Sequence, residues 1–531
     1  MTDPGARSHL GPRSASGARS VPGLGDARPA GHRDLLARYV GLVGALLLAV
    51  AGYLGGALPD ATTAPDGGPL TVTLWLLGTV ATVGSWWALR AGAPSTRWAY
   101  VTVGWWTLPL LVTAPLGSRD VYSYACQGWI YADGGDPYVT GVAAAGCPWV
   151  EAVAPVWRDT PAPYGPFFVL LAALTVVLGG GLVGTLVLLR VLALAGVLAA
   201  AACLPGLARA AGVPPRRATW LLLACPLVGV HLVAGAHNDA VMLGLLLPAL
   251  LMLVHGPGRR GLWVLLVAGT LFGLAVSVKA TAVVVLPFAA LAAVRGRPVV
   301  RKLLRDGGLL AVGVFGGLLV PSLLTGLGFG WLGGLGRSGD TVQWTSPSTA
   351  VGMLVDYVGE LLGRQPDAVP VTRIAGLLLL AAFLPLLWSH TLSTLRHPHP
   401  HSYPYPAALI MKLLPWASAC PGNNFMINAA SRGGGVVLGG AGVALGATVV
   451  LAPVFHPWYA TWPLALLAVA ASRTGWFALP CALASFLALP DGTSLARLTK
   501  APGAIVMTTL VLAAVIRFLS AHRSPRTPPP H

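Results

Sequence analysis

Asp120 stands in the string Ser118-Arg119-Asp120-Val121-Tyr122-Ser123-Tyr124, a carboxylate among aromatics directly after an apolar stretch. Such a group suits a base that takes the proton from a sugar hydroxyl. Aromatic faces suit sugar rings, and Arg or Lys suits a departing phosphate. Similar polar strings recur between apolar runs: Asp133-Gly134-Gly135-Asp136-Pro137-Tyr138, Trp157-Arg158-Asp159, Pro163-Tyr164-Gly165-Pro166, His237-Asn238-Asp239, Gln343 to Pro347, and His456-Pro457-Trp458-Tyr459. Lys279 interrupts the otherwise uncharged run Ser277 to Thr281. Polar residues at a membrane boundary are expensive to keep and default to functional hypotheses.

Ordinary roles compete for each of them. Asp120 also suits a helix cap or the partner of Arg119, and Asp133 and Asp136 read as turn residues in a Gly/Pro-rich loop. Arg190 and Lys279 each open an apolar span at its outer end, where snorkelling is the plain explanation. His456 reads as an interfacial anchor with Trp458 and Tyr459, and His231 as a hydrogen-bonding residue between helices.

The elements that must position these residues are membrane helices. Of 531 residues 55% are hydrophobic and 10% charged, and mean hydropathy is +0.72. Soluble domains carry about 25% charged residues, so this chain has too little charge to coat a water-facing surface. Apolar blocks of about 17–23 residues are long enough to cross roughly 30 Å of hydrocarbon as helices. The expected fold is all-α: a polytopic bundle of about 13–14 spans at 38–58, 70–90, 98–116, 187–207, 217–235, 238–255, 262–278, 280–295, 307–329, 371–389, 434–453, 457–472, 474–490 and 502–520. The net charge of +17 does not point to nucleic acid, because most Arg residues sit at the ends of apolar blocks, where they orient a membrane protein.

Positive-inside counting puts both termini, Arg90/Arg97, Arg209 to Arg217, Arg259/Arg260, Arg295 to Arg305 and Arg473 in the cytoplasm. Outside go the acidic turn Asp60 to Asp66, the loop 117–186, His237 to Asp239, the loop 330–370 and the turn at His456, with Arg497 and Lys500 as exceptions. The same count makes 163–182 an interfacial helix in the outer loop, so the next span starts near Arg190. Residues 1–34 read as a disordered tail. The first apolar run, near Tyr39, is too long for the h-region of a signal peptide. The expected organisation is a catalytic membrane region over 35–389, an atypical cytoplasmic linker over 390–433, C-terminal helices over 434–520, and a tail over 521–531. Six cysteines show no metal spacing. Cys126 and Cys147 share the outer loop, where a disulfide is chemically permitted.

A long outer loop that opens with Asp, a Tyr-Gly-Pro interfacial helix and then a span with Arg at its outer end resembles the GT-C superfamily of integral-membrane glycosyltransferases. Ser118 to Tyr124, Trp157-Arg158, Pro161 to Pro166, Gly235 to Asp239 and His456 to Tyr459 resemble, more narrowly, actinobacterial α(1→6) mannosyltransferases that use polyprenyl-phosphomannose to build lipomannan cores. The similarity runs over about 38–520, excluding 390–433. It implies transfer of mannose to an acceptor 6-hydroxyl with inversion, on the extracytoplasmic face of the plasma membrane. The implied partners are the polyprenyl-phosphomannose donor, a lipid-anchored mannan acceptor and the bilayer.

In that scheme Asp120 is the general base, and Arg190 and Lys279 hold the donor phosphate as it leaves. Arg119, Tyr122, Tyr124, Trp157, Arg158 and Tyr164 shape the pocket; His237, Asn238, Asp239 and His456 line it, with Asp239 the second choice of base. No cofactor is implied. Members of the superfamily often carry an acidic pair in this loop. Here Arg119 precedes Asp120 and a second acid is not obvious; the expectation is no metal, since Arg and Lys can neutralise a lipid monophosphate. Other polyprenyl-phosphate sugars, such as arabinose or glucose, remain alternatives, as does a lipid-linked sugar flippase. A transporter would be expected to show repeated halves with interrupted helices near the midplane, and none is evident.

Overall fold

The computed structural model describes residues 27–59, 68–255, 261–337, 341–397 and 433–523. The acidic turn after Asp60, most of the N-terminal tail and most of the 390–433 linker lie outside them. The described residues are helical throughout apart from loops and one isolated β-bridge.

Helices α1 (His32–Gly55) and α2 (Gly68–Ala88) pack together, and α1 also packs against α3 (Thr96–Val112). The loop after α3 then forms α4 (Asp120–Ala132), two 3-10 turns at Val150–Ala152 and Pro155–Trp157, and α5 (Pro166–Gly179). A long α6 (Leu182–Ala211) follows, then α7 (Pro215–Leu223) and a π-helical stretch at Val228–Ala234. Next come α8 (Asp239–Val254), α9 (Leu262–Val278), a 3-10 turn at Ala280–Val285 with α10 (Leu286–Ala293), and α11 (Val300–Thr325). The segment between α11 and the next long helix carries α12 (Trp331–Arg337) and α13 (Pro347–Leu361), before α14 (Ala368–Arg396). The C-terminal part comprises α15 (Gly433–Leu451), α16 (Thr461–Ala470), α17 (Gly475–Ala484), the short α18 (Leu495–Leu498) and α19 (Lys500–Arg523).

The chain is therefore an all-α polytopic membrane protein. Among the described residues seven helices are long and apolar enough to cross a membrane, or eight if the bent pair α7 and Val228–Ala234 is one span. The other expected spans are helices too, but shorter, such as α8, α9 and α17. Length accounts for the difference from 13–14.

Four further boundaries differ from expectation. The segment 217–235 is no continuous span: Pro226, which has no N–H to donate, sits in a 64° bend. Helix α6 begins at Leu182, so Arg190 lies two turns inside it rather than at its head. Helices α1 and α14 also reach into the expected tail and linker, starting at His32 and ending at Arg396.

Close backbone approach holds part of the bundle together. A Cβ on Gly269 or Gly273 would fall 2.2 Å from a carbonyl oxygen of α11, and Gly313 and Gly317 are equally tight against α9. Facing small residues of this kind let membrane helices meet where no hydrophobic effect drives association.

Candidate active site

Two carboxylates each occupy the first residue of a helix. Asp120 starts α4 and Asp239 starts α8, where the orphan N–H groups and the positive end of the helix dipole favour negative charge. The fold brings them to the same imidazole: His237 Nδ1 lies 3.8 Å from Asp120 Oδ2 and 3.9 Å from Asp239 Oδ2. These separations exceed hydrogen-bond length. Asp239 is thus a second acid near Asp120 that the local sequence around Asp120 does not show.

The two acids sit in different surroundings. Asp239 is fully buried, with Lys279 Nζ 2.8 Å from each of its oxygens and the Trp462 indole N–H donating to Oδ1. Lys279 in turn lies over the rings of Tyr459 and Trp462, at 5.0 and 5.3 Å. Asp120 instead lines an open cavity of about 240 Å³ together with Ser118, Arg119, Trp157, His456 and Trp458. Burial pushes its carboxyl up to about 6, against the lowering pull of Lys279 and of Ser118. A carboxylate tuned towards neutrality is a stronger base than an exposed one, yet still ionised at pH 7.

Aromatic rings build the wall. His456 stacks on Trp458 with centroids 4.7 Å apart and faces Trp157 at 6.4 Å. Burial pushes the His456 imidazole down to about 3, leaving it neutral. Behind Asp120, Tyr124, Tyr164 and Phe168 meet edge to face. The Tyr124 hydroxyl reaches His237 Nδ1 at 3.4 Å and Asn238 Oδ1 at 3.5 Å. Ala236, just before this string, holds φ 50°, a left-handed conformation costing about 1–2 kcal/mol for a non-glycine residue.

The disulfide Cys126–Cys147, with Cα atoms 5.6 Å apart, ties α4 to the loop that delivers Trp157. Arg158 braces the same loop through Glu151 at 3.0 Å and the carbonyl of Val153.

Several expected ligands have other employment. Arg190 donates to the carbonyls of Leu111, Thr113 and Ala234 at 2.7–2.8 Å. It thereby ties the C-terminal ends of α3 and the π-helical stretch, where carbonyls lack helical partners. Lys279 is paired with Asp239. Both side chains are engaged within the bundle, and neither lines this cavity. Tyr122 donates to Ala57 O at 2.6 Å, so it and Arg158 brace the pocket without lining it. His231 Nδ1 has no hydrogen-bond partner among the described residues; its ring packs against His237 and Trp458 instead.

Gln343, from one of the polar strings, lines the cavity, but sequence reading missed the rest of this wall: Thr341, and Leu487 to Arg497 from the C-terminal part. The signals were faint: Pro490-Asp491-Gly492-Thr493 is turn-forming, and Arg497 was an exception to the charge rule.

A family model described as alpha-(1->6)-mannopyranosyltransferase, N-terminal domain, matches residues 38–295, and an MptB C-terminal domain matches 407–517. A probable alpha-(1->6)-mannopyranosyltransferase of Mycolicibacterium smegmatis is 31% identical over 460 residues, covering 80% of this chain and 75% of the relative. The chain belongs to the alpha-(1->6)-mannopyranosyltransferase family. Alpha-(1->6)-mannopyranosyltransferase B of Corynebacterium glutamicum is 30% identical over 506 residues, 86% of this chain and 77% of that protein. The family match reaches into the segment 390–433, which the resemblance was expected to skip. No solved structure matches the chain. In this mannopyranosyltransferase the cavity joins the two matched regions: Gly117 to Asp120 and Ala154 to Trp157 come from the first, His456 to Trp458 and Leu487 to Arg497 from the second.

Proposed function

We propose that the chain transfers mannose from polyprenyl-phosphomannose to the 6-hydroxyl of a lipid-anchored α(1→6)-mannan, with inversion, on the extracytoplasmic face of the plasma membrane. The observation that carries this is Asp120: a desolvated carboxylate on the wall of an aromatic-lined cavity, in a chain whose relatives bear the mannopyranosyltransferase name.

Asp120 takes the proton from the acceptor hydroxyl as its oxygen bonds to the anomeric carbon. The bond from that carbon to the phosphate oxygen breaks, and the electron pair stays on the phosphate. Trp157 offers a face to the sugar rings, while Trp458, packed against His456 and His237, backs the wall. His237, Asn238 and the Asp239–Lys279 pair form the buried layer that holds Asp120 in place, and Arg190 is a positioning residue for the ends of two helices. The Cys126–Cys147 bridge supports placing this loop outside, since disulfides persist in oxidising compartments. The termini are then cytoplasmic.

The test is a transfer assay in membranes with radiolabelled polyprenyl-phosphate sugars and a short α(1→6)-mannoside acceptor. Label from the mannosyl donor, in a product with a new α(1→6) linkage, is expected. Transfer only from an arabinosyl or glucosyl donor would overturn the mannose assignment.

A further inference from the structure

The segment after α17 is built onto the site. Leu495 N–H bonds to Leu487 O at 2.8 Å and Leu489 N–H to Thr493 O at 2.9 Å, while Ala488 and Ser494 form the β-bridge. The Asp491 carboxylate closes the turn by accepting from Thr493 N at 2.9 Å and Thr493 Oγ1 at 2.7 Å. The turn is fastened to the loop that opens α4, because Gly117 N–H donates to Pro490 O at 3.1 Å. Gly492 carries φ 92°, and a Cβ there would lie 3.0 Å from Ser118 Cα; only glycine suits that position. Two residues past this hairpin-like turn, Arg497 on α18 joins the wall that Asp120 shares.

Arg497 differs from the other cations near the site. Arg119 donates to the Ala152 carbonyl at 3.0 Å, and Arg158, Arg190 and Lys279 are held by Glu151, by three helix-end carbonyls and by Asp239. The Arg497 guanidinium is exposed, and it has no hydrogen-bond or ion-pair partner among the described residues. The Asp491 carboxylate on the same wall is engaged within its turn. A free guanidinium in a cavity with a carboxylate base is a fork for phosphate oxygens. Its position on the outer side also breaks the charge asymmetry that orients the chain, so topology does not account for it.

We infer that Arg497 binds the phosphate of the lipid-linked sugar donor and stabilises it as it departs. This rests on the glycosyl-transfer reading of the same site. On transfer the phosphate passes from a diester with one negative charge to a lipid monoester that can carry two, so the guanidinium gains attraction as the bond to the sugar breaks. The C-terminal region thus supplies the leaving-group side of a reaction whose base comes from the N-terminal region.

The experiment compares wild type, Arg497→Gln and Arg497→Lys, purified in lipid nanodiscs. Binding is read without turnover, as thermal stabilisation by polyprenyl phosphate, polyprenol, phosphatidylinositol and inorganic phosphate. Transfer is read separately as kcat/KM for donor and for acceptor. With no ligand the three proteins should melt alike, since Arg497 is exposed and makes no contact to lose. Polyprenyl phosphate should stabilise wild type more than polyprenol does, and that excess should vanish in Arg497→Gln. Donor kcat/KM should fall about 30-fold or more, with partial recovery in Arg497→Lys and little change in acceptor KM. Equal stabilisation of wild type and Arg497→Gln by polyprenyl phosphate would overturn the assignment. So would a response confined to phosphatidylinositol, pointing to the acceptor's lipid, or to inorganic phosphate. If wild type binds polyprenyl phosphate through Arg497 but transfers no mannose, the phosphate site stands and the mannosyl reading fails.

Discussion

Replacing Lys279 with Met tests the buried layer behind the base. Lys279 Nζ lies 2.8 Å from both oxygens of a carboxylate that is 0% exposed, while its own side chain is 12% exposed. At an effective dielectric constant of about 20, two charges at that distance attract by roughly 6 kcal/mol before desolvation is counted. Removing one partner leaves Asp239 with the Trp462 N–H as its remaining close donor, and uncompensated buried charges cost about 3–5 kcal/mol. Asp239→Asn should cost less, because Lys279 keeps its two aromatic faces and some access to solvent. The double variant removes both charges and keeps an oxygen for Trp462, so it should recover to within about 1–2 kcal/mol of wild type. The assay is thermal unfolding in nanodiscs at one scan rate, since such midpoints are operational for membrane proteins. The expected order is wild type, double variant, Asp239→Asn, then Lys279→Met. Additive losses would refute the pairing. Unchanged melting of Lys279→Met with reduced donor affinity would return Lys279 to the phosphate.

Two further outcomes follow from the site. With the Asp120 carboxyl raised to about 6 by burial, and the ionised form acting as base, kcat/KM should be flat above about pH 7 and fall tenfold per unit below about 6. A profile flat down to pH 5 would show that Asp120 titrates as an ordinary exposed acid or is not the base. A membrane-impermeant maleimide should label Cys126 and Cys147 in intact cells only after a reductant is added, because the bridge blocks both thiols. Labelling without reductant would argue against the bridge.

Much of the fold was legible because membrane helices announce themselves by length and apolarity alone. Among the described residues every expected span is helical, though 217–235 is broken at Pro226, and the pairing of Cys126 with Cys147 was at least permitted. Depth was not legible: nothing in the run around Arg190 shows that α6 starts at Leu182, so a residue inside the bundle looked like one at its rim. The catalytic candidates divide in the same way. Asp120, Trp157 and His456 carry local signals and share a cavity. That Asp239 is the partner acid depends on α8 beginning beside α4, 119 positions earlier in the chain at Asp120. The Leu487 to Arg497 wall depends on a backbone hydrogen bond between Gly117 and Pro490, which no spacing rule reveals. Arg158 and Tyr122 looked like pocket residues because charge and aromaticity are the same cues whether a side chain faces substrate or carbonyl.

The most direct measurement is mannosyl transfer by Asp120→Asn, in membranes supplied with radiolabelled polyprenyl-phosphomannose and an α(1→6)-mannoside acceptor, alongside wild type of equal abundance and melting temperature. The amide keeps the shape of the carboxylate but cannot accept the proton, so label should fall by about 10²–10⁴-fold. Transfer by the variant within a few-fold of wild type would contradict the central claim and move the base to another group, Asp239 first.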